Sequence, residues 1–240
     1  MHRVFTILNA IGFHNVHTID EISSATGIPR SSVHRILQSL TQENIVTQIP
    51  KKGYVITPLM VSIGLKGISQ NGIIEVAVPI MKELAQNTHE TVSLQVISGQ
   101  ERVCLCRFEG DYPITRHIKV GDTGPLLRGA AGKIIAAGLK EPEQEGIIRR
   151  SIQEEKISAA DEPAIRAELS QIREQGFSLS TGERIPGSAS IGVPIRDILG
   201  NTQASLTIAT VLDRLTETNK QNYLKLLFES ARQIQAQIIW

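Results

Sequence analysis

The first 60 residues repeat a helical pattern of apolar side chains three times, with polar breaks between the repeats. Apolar residues recur at helical spacing over 3–12, and this stretch ends at a glycine. A Thr-x-x-Glu capping box at Thr18 predicts a second helix that ends at about Thr26. A glycine turn follows, and a third helix is predicted over 29–43. The β-branched runs IVTQI and GYVIT, separated by PKKG, predict a hairpin, called the wing below, so the whole pattern predicts a winged helix-turn-helix.

The rest of the chain mixes helical and strand patterns. Residues 58–74 are apolar with interspersed glycines, which predicts a connecting helix that can bend. Strand patterns occur in TVSLQVI, RVCLCRF, a segment near TRHIKV, SIGVPI and QASLTIA, the last two joined as a hairpin by RDILGN. Further helices are predicted at about 74–87, around AAGKIIAAGL, and at about 142–156, 161–175 and 217–238. Because hairpin-connected strands intermix with helices, we expect an α+β domain built on an antiparallel sheet.

The third predicted helix, in PRSSVHRILQSL, has an apolar face and a polar face. Its apolar residues recur at helical spacing and should be buried: Val33, Ile36, Leu37 and Leu40. Arginine can grip guanine with two donors, and short hydroxyls let a helix approach DNA closely. Two lysines in the hairpin turn suit phosphate or minor-groove contact by a wing. The predicted DNA-binding residues are therefore Arg30, Ser31, Ser32, His34, Arg35, Lys51 and Lys52.

The charge of this region leaves a second interpretation open. The first 60 residues hold five Lys and Arg against three Asp and Glu, which gives only +2. A solvated helix face has the same pattern, and winged modules also bind proteins. The alternative is a winged-helix protein-interaction module with a metabolite-sensing domain and no direct role at DNA. Salt dependence separates the two, because DNA binding releases counterions and weakens steeply with salt.

Composition and motifs exclude several other classes of protein. The chain is 41% apolar and 20% charged with a net charge of +1, as in an ordinary globular protein. Without a secretory signal or an apolar run of membrane length, we expect a cytoplasmic protein of bacterial type. No nucleophile elbow, metal-spaced cluster or phosphate loop occurs, so we expect no enzyme activity, cofactor or metal. Cys104 and Cys106 should be buried on one face of a strand.

Two separated motif sets resemble the IclR family of bacterial transcriptional regulators. TIDEISSATGIPRSSVHRILQSLTQENIV is similar to the DNA-binding domain of that family. GDTGPLLRGAAGKIIAA and GFSLSTGERIPGSASIGVPIRDILGNTQASLTIAT resemble its sensor domain, in the same order along the chain. The resemblance covers nearly the whole sequence. One departure is that this chain has hardly any residues before the first helix, where the family usually has an extension.

The resemblance implies both an architecture and a set of partners. The expected domains are a winged helix-turn-helix at 1–60, a linker helix at 61–74 and a GAF-like antiparallel-sheet effector domain at 75–240. The expected partners are a double-stranded DNA operator and a small organic effector, often a carboxylate or an aromatic acid. A homodimer that pairs into a tetramer is also implied. Effector binding would then change the spacing of the DNA-binding heads through the linker.

The matched motifs also imply where the effector binds. The start of the small-residue helix contributes Ala130 and Ala131, where free backbone N–H groups suit an anion. The remaining matched positions lie in the loop and hairpin that follow: Ser180, Ser190, Thr207 and Ala209. Serine and threonine at such positions could equally satisfy neighbouring backbone groups.

Arg116 is the residue that we single out for contact with a charged ligand. It precedes HIKVG on a predicted strand that should border the pocket, at a position where the family often has an apolar residue. A partly buried arginine needs an anionic partner, and a ligand carboxylate would accept two hydrogen bonds from it. A salt bridge to Glu183 or Asp122, or plain exposure to solvent, are the alternatives.

Overall fold

The chain folds into two units, Met1–Asn71 and Gly72–Trp240. A computed structural model describes residues 2–70, 72–111, 118–154 and 157–238, with the backbone alone described over 65–70. The first unit has three helices, a two-stranded hairpin and a fourth helix: α1 His2–Phe13, α2 Ile19–Thr26, α3 Arg30–Gln42, β1 Val46–Ile49, β2 Gly53–Ile56 and α4 Pro58–Gln70. The predicted order of three helices and a hairpin is confirmed.

The apolar stripes of the three helices meet in one core. This core also takes in the first strand residue, Val46, and the ring of Tyr54 on the second strand. On α3, Val33, Leu37 and Leu40 are buried as predicted, and Ile36 packs against the core while partly exposed. Burial of this face leaves the opposite face of α3 to solvent.

The turn between α2 and α3 is set by caps at both ends of α2. Thr18 Oγ1 accepts a hydrogen bond from Glu21 N at 3.2 Å, and Glu21 Oε2 accepts one from Thr18 N at 2.9 Å, which confirms the predicted capping box. At the other end, Gly27 has a φ of 68°, a left-handed conformation that glycine adopts without strain. These two caps fix where α2 ends and how α3 leaves it.

The second unit is a six-stranded antiparallel sheet with helices on both faces. Its strands are ordered β5-β4-β3-β8-β7-β6 across the sheet. The elements are α5 Ile73–Thr88, β3 Thr91–Ser98, β4 Glu101–Phe108, β5 Thr123–Pro125, α6 Gly129–Gly138, α7 Glu141–Gln153, α8 Glu162–Gln175, β6 Ser178–Thr181, β7 Ser188–Arg196, β8 Thr202–Val211 and α9 Glu217–Gln237. Helices and an antiparallel sheet together confirm the predicted α+β class.

Alternation along the central strands gives the sheet one apolar face and one polar face. Leu94, Val193 and Leu206 point to the apolar face, which packs against α5 and α9. Ser93 and Thr207 point to the other face, which is partly covered by α6. Helices α7 and α8 pack against α6 and bury a smaller apolar cluster there. The polar face is therefore enclosed without being filled by apolar side chains.

The expectation that Cys104 and Cys106 share a face is wrong. A β-bulge on β4 pairs Cys106 with Leu94 but Cys104 with Gln95, the next residue of β3. Because adjacent residues of β3 point to opposite faces, the two cysteines do so as well. Cys106 lies against Met81 in the apolar core, with 3.5 Å between the two sulfur atoms.

Three further segments differ from the sequence prediction or could not be compared with it. Strand β6 was not predicted, and it pairs with β7 at the edge of the sheet. The apolar stretch 58–74 forms α4 as far as Gln70, and α5 then begins at Ile73 after a left-handed Gly72. Half of the TRHIKV segment, residues 115–117, lies outside the described residues, and residues 118–120 do not form the predicted strand.

Candidate functional site

The structure places the predicted DNA-contacting residues on one helix and one hairpin turn. On α3, Ser32 is half-buried and the other four are exposed: Arg30, Ser31, His34 and Arg35. Lys51 and Lys52 are exposed in the turn between β1 and β2. The six exposed side chains are therefore all accessible to a polyanion from solvent.

Arg30 is held by an acidic neighbour on α2. Its Nη2 lies 2.5 Å from Asp20 Oδ1, and both side chains are well exposed. Exposed ion pairs of this kind contribute little to stability. Arg30 can therefore exchange Asp20 for a phosphate at small cost.

The wing is fixed to the first unit through His17. Tyr54 N donates to His17 O at 2.8 Å, and the His17 ring contacts Tyr54 O at 2.9 Å through Nδ1. The backbones meet at Gly53, where a Cβ atom would lie only 2.4 Å from His17 O. Only glycine permits this approach, and its φ of 94° also favours glycine. The lysine turn is thus anchored at a defined place relative to α2.

A cavity of about 90 Å³, partly open to solvent, lies on the polar face of the sheet in the second unit. It brings together all of the predicted effector positions that the structure describes: Ala130, Ala131, Ser180, Ser190, Thr207 and Ala209. Arg116 lies outside the described residues. The lining also contains residues that the sequence did not single out, and the most unusual of them is Arg102.

Arg102 is a cation buried in the cavity wall, with 2% of its surface exposed. Its Nη1 donates a short hydrogen bond to Gln95 Oε1, and Gln95 Nε2 donates to Ser93 Oγ at 2.8 Å. Its Nε has no hydrogen-bond partner, and no carboxylate of the described residues lies within ion-pair distance of the guanidinium. Burial, and then the charge of Arg184, lower the pKa of Arg102 to about 10, so it is still charged at neutral pH.

The start of α6 forms another wall of the cavity, and its backbone donors are already engaged. Gly129 N donates to Glu183 Oε2 at 3.0 Å, and Ala130 N donates to Ser190 Oγ at 3.4 Å. The family motif had implied a free N–H at Ala130, but in the structure this group is already engaged by Ser190. Lys133, one turn along α6, donates to Glu183 at 2.6 Å and to Glu168 at 2.7 Å.

A buried ionic network closes one end of the polar face. The carboxylate of Glu90, of which 1% is exposed, accepts hydrogen bonds from Arg214 Nε at 2.7 Å and Nη2 at 2.9 Å. Thr210, which lines the cavity, and Tyr223 on α9 also donate to it. This network joins the link between α5 and β3 to β8 and α9. Glu90 and Arg214 pair with each other, so we interpret the network as structural support for the cavity.

Two other kinds of site find no support in the described part of the chain. No cluster of three or more His, Cys, Asp and Glu side chains is arranged there to hold a metal ion. Across the same residues, no helix has the length and apolar character needed to cross a membrane.

Comparison with protein families gives the same result for both units. The family described as the IclR helix-turn-helix domain matches residues 2–50. The family described as bacterial transcriptional regulator IclR C-terminal matches residues 65–236. Together the two matches take in most of the chain.

Individual relatives are transcriptional regulators and not enzymes. The HTH-type transcriptional regulator KdgR of Escherichia coli (strain K12) is 29% identical over 241 residues, covering 98% of this chain and 91% of the relative. The DNA-binding transcriptional repressor YiaJ of the same strain is 30% identical over 220 residues, covering 89% of this chain and 78% of the relative.

Solved structures share the fold. An IclR transcriptional regulator from Alicyclobacillus acidocaldarius superposes with a TM-score of 0.83 at 21% identity, covering 98% of this chain and 96% of the other. An IclR homolog from Microbacterium hydrocarbonoxydans, complexed with 4-hydroxybenzoate, superposes with a TM-score of 0.82 at 20% identity, covering 98% of this chain and 96% of the other.

Proposed function

This chain belongs to the IclR family of bacterial transcriptional regulators, and we propose that it binds operator DNA through α3 and the wing under control of a small organic effector. The main support for DNA binding is that α3 has two different faces. One face is locked in the core of the first unit, and the other presents arginines, serines and a histidine to solvent. A helix held in this way by a preceding helix and a glycine turn suits insertion into the major groove.

The proposed contacts divide into two kinds. Arg35 and His34 lie within α3 and would contact base edges, which gives sequence specificity. Lys51 and Lys52 in the wing would contact phosphates, which gives affinity without specificity. Arg30 would leave Asp20 for a phosphate when the helix enters the groove.

One winged unit with a charge of +2 has little electrostatic grip on DNA. We therefore propose a homodimer, pairing further into a tetramer, in which several heads read spaced half-sites. A regulator of bacterial operators acts in the cytoplasm. A winged protein-interaction module without a DNA role is the alternative.

The cavity in the second unit is the proposed effector site. It is enclosed between the sheet and the start of α6, and serines, threonines and arginines line it. Such a combination of enclosed space with a few polar groups is typical of a metabolite pocket. The complex of one structural neighbour with 4-hydroxybenzoate supports an organic acid as the class of effector.

Selection from a random DNA pool by the purified full chain, followed by binding titrations, tests the proposal. We expect one enriched motif, with an affinity that falls steeply between 50 and 200 mM salt, by roughly 1,000-fold for six phosphate contacts. No enriched motif, or binding that does not respond to salt, would instead support the protein-interaction alternative.

A further inference from the structure

We propose that the effector is a small hydroxylated carboxylate whose acid group is bound by Arg102, with Gln95 as the residue that positions the guanidinium. The proposal rests on the proposed function, since it takes the cavity of the second unit as the effector site. It assigns the acid group to Arg102 on β4, a residue that no family motif in the sequence had indicated.

The first support is that the buried guanidinium of Arg102 forms no ion pair with a carboxylate of the described residues. Taking a guanidinium out of water is costly unless an anion and hydrogen bonds replace the lost water. Here the described residues supply one hydrogen-bond acceptor, Gln95 Oε1, and no carboxylate, while Nε has no partner. Arg107 on the same strand also has an Nε without a partner, but its guanidinium donates to the carboxylate of Glu109. A ligand carboxylate in the cavity would provide the anionic hydrogen-bond acceptor that Arg102 lacks in the protein.

The second support is the chain of hydrogen bonds that orients Arg102. The amide of Gln95 uses its oxygen for Arg102 and its nitrogen for Ser93, so it bridges the two and cannot rotate without losing both. A glutamate at this place would neutralise the arginine. The neutral amide instead holds the guanidinium in position and leaves its charge available to a ligand.

The remaining lining shows what kind of acid fits. Seven of the described lining residues carry a hydroxyl group, and none carries a carboxylate or an aromatic ring. Two of the seven donate within the protein, Ser188 to Ile185 O and Thr210 to Glu90. Ser93 Oγ accepts from Gln95, and Ser190 Oγ accepts from Ala130 N, which leaves the hydroxyl proton of each to donate to a ligand oxygen. A site of this kind favours ligands with hydroxyl groups and rejects analogues without them. An aromatic acid would leave these groups unpaired.

Arg102 could instead be a purely structural residue that packs β4 against β5, where it lies over Gly124. The two roles predict opposite effects of removing the charge. If the role is structural, Arg102→Met lowers the melting temperature of the ligand-free protein. If the role is to bind a ligand, the same variant melts at or above the wild-type temperature, because an unpaired buried charge has been removed.

The experiment combines thermal melting with calorimetric titration of the full chain. The probes are glycerate and gluconate as hydroxylated carboxylates, sorbitol as a neutral polyol, and benzoate as an aromatic acid. The variants are Arg102→Met and Gln95→Glu, with Arg232→Met as the matched control, since Arg232 is exposed on α9. A ligand that binds the folded state raises its melting temperature.

We expect glycerate or gluconate to bind the wild type and the Arg232→Met control, and sorbitol and benzoate to bind neither. Arg102→Met should weaken binding roughly 30-fold or more. Gln95→Glu should weaken it on the order of tenfold while the protein still folds, because the new carboxylate competes for Arg102. The inference is overturned if neither hydroxylated carboxylate binds the wild type, if benzoate binds more tightly than both, or if the two cavity variants bind as the wild type does. None of these results depends on operator binding, so failure of the proposed function is measured separately.

Discussion

Lys133 Nζ donates to Glu183 Oε1 at 2.6 Å, and this ion pair fastens the start of α6 to the loop between β6 and β7. Glu183 also accepts from Gly129 N at the first position of the same helix. The loop contributes Arg184 and Ile185 to the cavity lining. Two walls of the proposed effector site are therefore held together by one carboxylate.

Replacing that carboxylate should loosen the loop in a pH-dependent way. Burial raises the pKa of Glu183, but the hydrogen bond from Gly129 and the charge of Lys133 outweigh it, so the net pKa is lowered. A lowered pKa stabilises the folded state fully above the ordinary value of about 4.5, and the effect is lost as pH falls through the folded value. Glu183→Gln should thus melt below the wild type at pH 7, with a smaller difference at pH 3. The matched control is Glu174→Gln, an exposed position on α8, and an equal effect of the two variants would contradict the account.

Removing the cap of α2 should destabilise the DNA-binding unit. Thr18→Ala loses the hydrogen bond from Glu21 N, and N-cap substitutions of this kind cost about 1 kcal/mol. We expect a lower urea midpoint for the first unit in hydrogen-exchange or fluorescence measurements. Ser24→Ala, at an exposed position of the same helix, serves as the control and should change little. A stability of Thr18→Ala equal to that of the control would show that the cap is dispensable.

Substitutions on α3 and in the wing should affect DNA binding differently. Arg35→Ala should weaken binding to the selected operator by about 1–3 kcal/mol and relax the base preference at one position. Lys51→Ala should weaken binding to all sequences alike and reduce the salt slope by about one. Competition titrations with single-base operator variants separate the two effects. The control is Lys225→Ala on α9, which removes an exposed charge from the other unit. If Arg35→Ala weakens binding to all operator variants equally, Arg35 does not contact a base edge.

Replacing Glu90 should lower the stability of the second unit more than replacing any other charged residue in it. Glu90→Ala leaves Arg214 without its bidentate partner and Thr210 without its acceptor, and breaking a buried ion pair costs about 3–5 kcal/mol. Urea unfolding of Glu90→Ala and of the exposed Glu83→Ala measures the difference. A cost below 1 kcal/mol for the buried variant would mean that the network does not support the cavity.

Local patterns were enough to predict most of the fold. The capping box at Thr18, the glycine turn and the apolar stripe of α3 each depend on residues close in sequence, and each was found as predicted. The faces of Cys104 and Cys106 were not predictable in this way. They depend on a bulge in the pairing of β3 with β4. The alternation of side chains along one strand does not predict such a bulge.

The predicted and the missed cavity residues differ for a physical reason. Ala130 and Ser190 belong to motifs that can be recognised from their neighbours in the sequence. Arg102 stands near the hairpin turn between β3 and β4, beside the exposed Glu101, where an arginine is usually solvated. Its burial depends on Gln95 and Gly124 across the neighbouring strands, and these contacts exist only once the sheet has formed.

We propose that ligand binding in the cavity controls the binding of DNA. The most direct test is a fluorescence-anisotropy titration of the wild-type chain with its selected operator, with and without saturating gluconate or glycerate. We expect steeply salt-dependent binding whose affinity changes at least about fivefold when the ligand is present, and no such change for Arg102→Met. Identical operator affinity with and without a ligand that calorimetry shows to be bound would contradict it.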